Sequence, residues 1–149
     1  MRKLLTLAFL LATTASAWGM SMSRPQALAG AIARAEGFYQ RGTIPNRCNN
    51  PGDLKVVAGW RYPGQVGVCK GGHVHFKTAA DGWAALMHQL DKIIDGTSRY
   101  TVNMTLNQIA RKYAANYRVW AHNVAHNLDV TPNTYLWEIL DVAPQLETM

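Results

Sequence analysis

The residue pattern predicts an α+β fold that is mainly α: one helix, a small antiparallel β lobe, then several helices, with a cleft between lobe and helical body. Three observations carry this expectation. Apolar residues recur at helical spacing after Ser23, Thr78 and Thr105, and each of these is followed three residues later by Gln26, Asp81 or Gln108, the pattern of a capping box. Residues 54–76 instead alternate Val, Trp, Tyr and His, with Pro63-Gly64 and Gly71-Gly72 among them, which suits a small antiparallel sheet or paired hairpins. The only two cysteines, Cys48 and Cys69, bracket the start and the interior of that stretch.

Taken in order, the first helix should start near Arg24, with Pro25 in its first turn, and bury Leu28, Ala31, Ile32 and Ala35. Gly37 is its natural stop, which leaves Glu36 at the helix end beside the buried stripe. Residues 38–53 read as a loop in which Pro51 and Gly52 fit the central positions of a type II turn. After the β lobe, Trp83, Leu86, Met87, Leu90, Ile93 and Ile94 mark a central helix that ends at Asp95-Gly96. Gly82 is expected to permit close helix packing. A helix from Thr105 buries Leu106, Ile109, Ala110 and Tyr113, another covers about residues 118–128, and the last is expected to start at Thr131-Pro132 with Thr as the cap.

Arg2 and Lys3 precede an apolar run, Leu4 to Ala12, and then Ala15-Ser16-Ala17, a small-x-small cleavage pattern. The run is too short to span a bilayer, so residues 1–17 are read as a signal peptide and 18–149 as one domain. Cleavage after Ala17 removes 17 of 149 residues, leaving 132, and lowers the formal charge from +6 to +4. That modest surplus suits an anionic envelope polymer, and no nucleic-acid motif accompanies it. The chain is expected to be periplasmic or secreted, without a stable membrane anchor after cleavage. In such an oxidising compartment an even cysteine pair forms a disulfide, Cys48 to Cys69. No cofactor or metal is expected: His73 with His75, and His122 with His126, have metal-like spacing but lack the intervening Glu of a zincin helix, and are read as solvated histidines.

Ala35-Glu36-Gly37-Phe38, then Asn49-Asn50-Pro51-Gly52-Asp53-Leu54-Lys55, then Phe76-Lys77-Thr78 with Gly82-Trp83-Ala84-Ala85-Leu86, together resemble the lysozyme-like superfamily. The nearest likeness is to small exported proteins of the lytic transglycosylase and peptidoglycan glucosaminidase type. Ala110-Arg111-Lys112-Tyr113-Ala114 and Asn123-Val124-Ala125 resemble that group's later half, while its Gly-Leu-Met-Gln signature is absent. The resemblance implies that Glu36 is the catalytic acid, that Asn49 and Asn50 line or brace the cleft, and that Tyr113 borders the acid.

Cleaving a β-1,4 link between amino sugars needs an acid that stays protonated near neutral pH, and burial against apolar side chains promotes this. Ile32, Phe38 and Tyr39 stand near enough in sequence to shield Glu36. The other glutamates, Glu138 and Glu147, lie in or beyond the last helix, and Asp53 is the sole acid between Glu36 and Asp81. If Asp53 only closes its turn, Glu36 serves as acid and then base, as in a lytic transglycosylase. If Asp53 faces the cleft, it acts as nucleophile or charge stabiliser in a retaining muramidase or glucosaminidase. Trp60 and Tyr62 are candidates to stack on sugar rings. The expected partner is the peptidoglycan glycan strand, met by a monomer, with service to an envelope-spanning or phage machine as a further expectation. Two alternatives remain: a catalytically inactive wall-binding or assembly module, and a small secreted lysozyme inhibitor.

Overall fold

The computed structural model describes residues 21–146, so the proposed signal peptide lies outside the described residues. The architecture is mixed, with helix predominant and a two-stranded antiparallel sheet. Helix α1 (Arg24–Ala35) opens on the Ser23–Gln26 capping box, with each side chain satisfying the other residue's backbone N–H. It closes on a Schellman motif: Phe38 N–H donates to the Ala33 carbonyl and Gly37 N–H to that of Arg34, with Gly37 at φ 76°. Glu36 is the capping residue of that closure, so its backbone is held from both sides.

The segment read as loop contains one turn of helix, α2 (Ile44–Arg47), capped by Thr43 and running into Cys48. Strands β1 (Gln65–Cys69) and β2 (His73–Phe76) pair antiparallel with Val68 opposite Val74, joined by a 3-10 turn at Lys70–Gly72. Residues 54–57 lean on β2 without forming a strand; Val74 N–H donates to the Leu54 carbonyl at 2.8 Å and Lys55 bridges His73. Cys48 and Cys69 are disulfide-bonded, which ties the end of α2 to the end of β1. Closing that loop stabilises the fold by about 3 kcal/mol in the chain-entropy model. Replacing both cysteines by Ser is expected to lower the urea midpoint by a corresponding amount, and an unchanged midpoint would show that the bond adds nothing to the lobe.

Helix α3 (Ala79–Ile94) starts on the Thr78–Asp81 capping box and serves both cores. Ala85 packs with Leu54, Tyr62, Val74 and Phe76 in the lobe, whereas Leu86, Leu90 and Ile93 join Leu28, Ile32, Ile109 and Trp120 in the body. Gly82 meets the expectation of close packing: a β-carbon there would overlap the Asn49 carbonyl oxygen and sit 2.8 Å from Pro51. The body is completed by α4 (Leu106–Tyr113), α5 (Tyr117–Asn127) and α6 (Leu136–Leu140).

Two expectations fail here. The last helix starts at Leu136 rather than Thr131-Pro132. Thr131 to Thr134 form a turn, and the Pro132 and Thr134 carbonyls accept from Asn107 and Leu106, the free amides at the start of α4. The segment thus satisfies another helix's end before it can begin its own. The turn at Pro51-Gly52 is not type II, because Gly52 does not have positive φ; Asp53, the next residue, does, at 48°. Gly52 is instead required by space, since a β-carbon would lie 2.9 Å from Leu86 and 3.3 Å from Leu54. No described helix is long and apolar enough to cross a membrane.

Candidate active site

A cleft of about 1070 Å³ runs between lobe and body, and Glu36, Asp53, Tyr62, His73, Tyr113 and Trp120 are on its wall. Each comes from a different part of the chain. Glu36 projects from the capped end of α1, Tyr113 from the last turn of α4 and Trp120 from the first turn of α5. Asp53 ends the turn that begins at Asn50, whose carbonyl accepts the Asp53 N–H at 3.0 Å. His73 opens β2.

The Glu36 carboxyl accepts a hydrogen bond from the Trp120 indole at 2.6 Å, which leaves its other oxygen for a proton. Burial pushes its pKa from an ordinary 4.5 up to about 7, the Asp53 charge adds to the rise, and the Trp120 hydrogen bond opposes it. Asp53 is also raised by burial, against the lowering effects of His73 and then Lys55. His73 Nδ1 lies 2.6 Å from Asp53 Oδ1 and 3.2 Å from the Asp53 carbonyl oxygen. The carbonyl takes the better-aligned share of that N–H, so the carboxylate lies close beside the N–H dipole without a second aligned hydrogen bond. Tyr113 is half-buried, with its hydroxyl turned inward to donate to the Gly52 carbonyl. Burial of that end, reinforced by Glu36 and Asp53, holds the phenol well above its usual range.

The structure brings Glu36, Asp53, Tyr62 and Tyr113 to one cleft, and moves the other expected residues elsewhere. Asn50 is fully buried and holds the lobe together: its side-chain amide donates to the Leu54 and Val74 carbonyls at 2.9 and 3.0 Å and its oxygen accepts from Leu54 N–H at 2.8 Å. Asn49 donates to the Phe76 carbonyl at 3.1 Å. Both brace the lobe and neither is on the cleft wall. Trp60 is 53% exposed and stands edge-on to Tyr62, outside that wall.

Shielding of Glu36 also comes from residues other than those expected. Ile32 is on the wall, but Phe38 packs on Trp83 and Tyr39 is exposed under Arg34. Trp120 and Tyr113, whose rings lie 5.1 Å apart, take that place. His73, read as solvated, is almost fully buried and bonded on both ring nitrogens. Sequence reasoning missed Trp120, His73 and Lys55. No local pattern marks Trp120, whereas the Lys55–His73 partnership follows once residues 54–57 are laid beside β2. The chain matches no protein-family model, no curated protein and no solved structure.

Proposed function

We propose that this protein cleaves the β-1,4-linked glycan strands of peptidoglycan in the manner of a lytic transglycosylase of lysozyme-like architecture. The observation that carries the reading is Glu36: a carboxyl on the wall of a large cleft, held near pH 7 by burial and by a second carboxylate. Glu36 donates its proton to the glycosidic oxygen as the bond to the anomeric carbon breaks. As the resulting carboxylate, it then takes the proton of the muramic acid 6-hydroxyl, whose oxygen closes on that carbon to leave a 1,6-anhydro end. Glu36 is thereby reprotonated, and no water is consumed. Asp53 contributes its negative charge while positive charge develops on the sugar ring. The Cys48–Cys69 bond supports action in an oxidising compartment outside the cytoplasm.

Because the donor must be protonated, kcat/KM for glycan cleavage is expected to hold level just below pH 7 and fall about tenfold per pH unit above it. A rate that already falls near pH 4.5 would return Glu36 to an ordinary solvated carboxyl. One observation favours a second reading: Asp53 is itself on the cleft wall, so it is placed to act as nucleophile in a retaining muramidase or glucosaminidase. Mass spectrometry of the products separates the two. Anhydro ends are expected, and reducing ends would give the chemistry to the Glu36–Asp53 pair.

A further inference from the structure

Lys55, His73 and Asp53 form a continuous chain of contacts on the lobe, ending at the carboxyl whose charge reaches Glu36. Lys55 Nζ donates to the Gly71 carbonyl at 2.6 Å and meets His73 Nε2 at 2.9 Å. An ammonium has donors only, so Nε2 must accept, and the imidazole proton resides on Nδ1. That N–H faces Asp53 at both ends of the residue, 3.2 Å from its carbonyl oxygen and 2.6 Å from Oδ1, so its dipole holds the backbone and favours the charged carboxylate. The imidazole is therefore a neutral bridge between a cation and an anion.

The lobe is built around this bridge. The Lys55 and His73 backbones pair antiparallel, which sets the two side chains in register. A β-carbon on Gly71 would press to 3.3 Å from the imidazole and 3.8 Å from Lys55 Nζ. Cys69, anchored to Cys48, directly precedes the turn that supplies the Gly71 carbonyl. Around the two carboxyls, α1 contributes Glu36, α4 Tyr113, α5 Trp120 and the lobe Tyr62, with the Tyr100 phenol beyond Tyr113; Lys92 and Arg99 are the other Lys and Arg side chains on the cleft wall.

We propose that Lys55 and His73 are positioning residues that keep the Asp53 carboxylate charged and aimed into the cleft, so that the lobe supplies the fixed anion opposite the proton donor of the body. This deepens the glycan-cleaving reading and rests on Glu36 as its acid. It gives the two neighbouring carboxyls different surroundings: Asp53 has the His73 bridge and the Lys55 charge behind it, while the hydrogen bond at Glu36 comes from a neutral indole.

The test uses the full chain and two readouts, the pH titration of the Asp53 and Glu36 side-chain carboxyl carbons by NMR and the pH profile of peptidoglycan solubilisation. Lys55→Met is expected to raise the Asp53 midpoint and lower the Glu36 midpoint by about one pH unit, and to narrow the activity profile from both sides. Lys55→Arg should restore the wild-type profile. In a His73→Asn background, where the amide can still reach Asp53 but the link to Lys55 is cut, Lys55→Met should move the midpoints by clearly less, leaving only the through-space effect of the Lys55 charge. Lys55→Gln gives the same comparison if the Met variant folds poorly. Unchanged midpoints in Lys55→Met, or equal shifts with and without His73, overturn the relay. If the wild type leaves peptidoglycan intact while the midpoints move as described, the relay stands and the glycan-cleaving reading falls.

Discussion

Glu36→Gln is expected to lose glycan cleavage by on the order of 10³-fold while becoming the more stable protein at alkaline pH. Both effects follow from one carboxyl. Gln keeps the oxygen that accepts from Trp120, so the indole contact survives, but it has no proton to give. The stability effect follows from proton uptake. Folded Glu36 titrates at about 7 and the ordinary group at 4.5, so between those values the folded state holds more protons than the unfolded one. Stability therefore falls as pH rises through that window, by about 3 kcal/mol in all, and levels off above it. The Gln variant carries no such loss. Urea unfolding at pH 4 and pH 8 measures the difference: the wild type should lose stability relative to the variant over that interval. Parallel curves would place Glu36 in open water, and retained peptidoglycan cleavage would remove it from the chemistry. A carboxyl that lowers stability once it ionises is what a sheltered acid should be.

Asn50→Ala is expected to cost about 4 kcal/mol, a large share of the 5–15 kcal/mol typical of a domain. The substitution removes the acceptor of the Leu54 N–H and the side-chain donor to the Val74 and Leu54 carbonyls in a place closed to water, and the Leu54 carbonyl keeps only the Val74 N–H. Asn50→Asp separates hydrogen bonding from volume. Its carboxylate still accepts from Leu54 N–H but faces two carbonyl oxygens, so it should be at least as destabilising at pH 7 and less so in acid, where one oxygen carries a proton. Amide exchange at Leu54 and Val74 supplies the local measure, with protection falling first at these two positions. A urea midpoint within experimental error of wild type would mean that the three bonds are replaced by water. Because Asp53 ends the turn that Asn50 begins, glycan cleavage should decline along with lobe protection.

The parts of this protein legible in its residues are those governed by neighbours in the chain. Three capping boxes, the Gly37 stop and the helical stripes of α1, α3 and α4 depend on contacts three or four residues apart, and all form as expected. So does the placement of Glu36 at a helix end. The Cys48–Cys69 pair was legible for a different reason, since two cysteines permit only one pairing. The start of α6 was hidden, because Thr131-Pro132 has sound local capping chemistry that yields to the unpaired amides of α4.

The site divides along the same line. That Glu36 stands at the end of a helix is local, and spacing alone conveys it. That it is a sheltered acid depends on Trp120, 84 positions away, on Tyr113 packed against that ring and on Asp53 from the lobe. Asn49 and Asn50 show the limit most clearly: their residue type announces hydrogen bonding, but only the meeting of lobe strands determines that the partners are backbone and not sugar. Chain-local energetics are written in short spacings, whereas burial and charge coupling arise when distant segments exclude water together, and those set the protonation of the carboxyls on which the proposed chemistry rests.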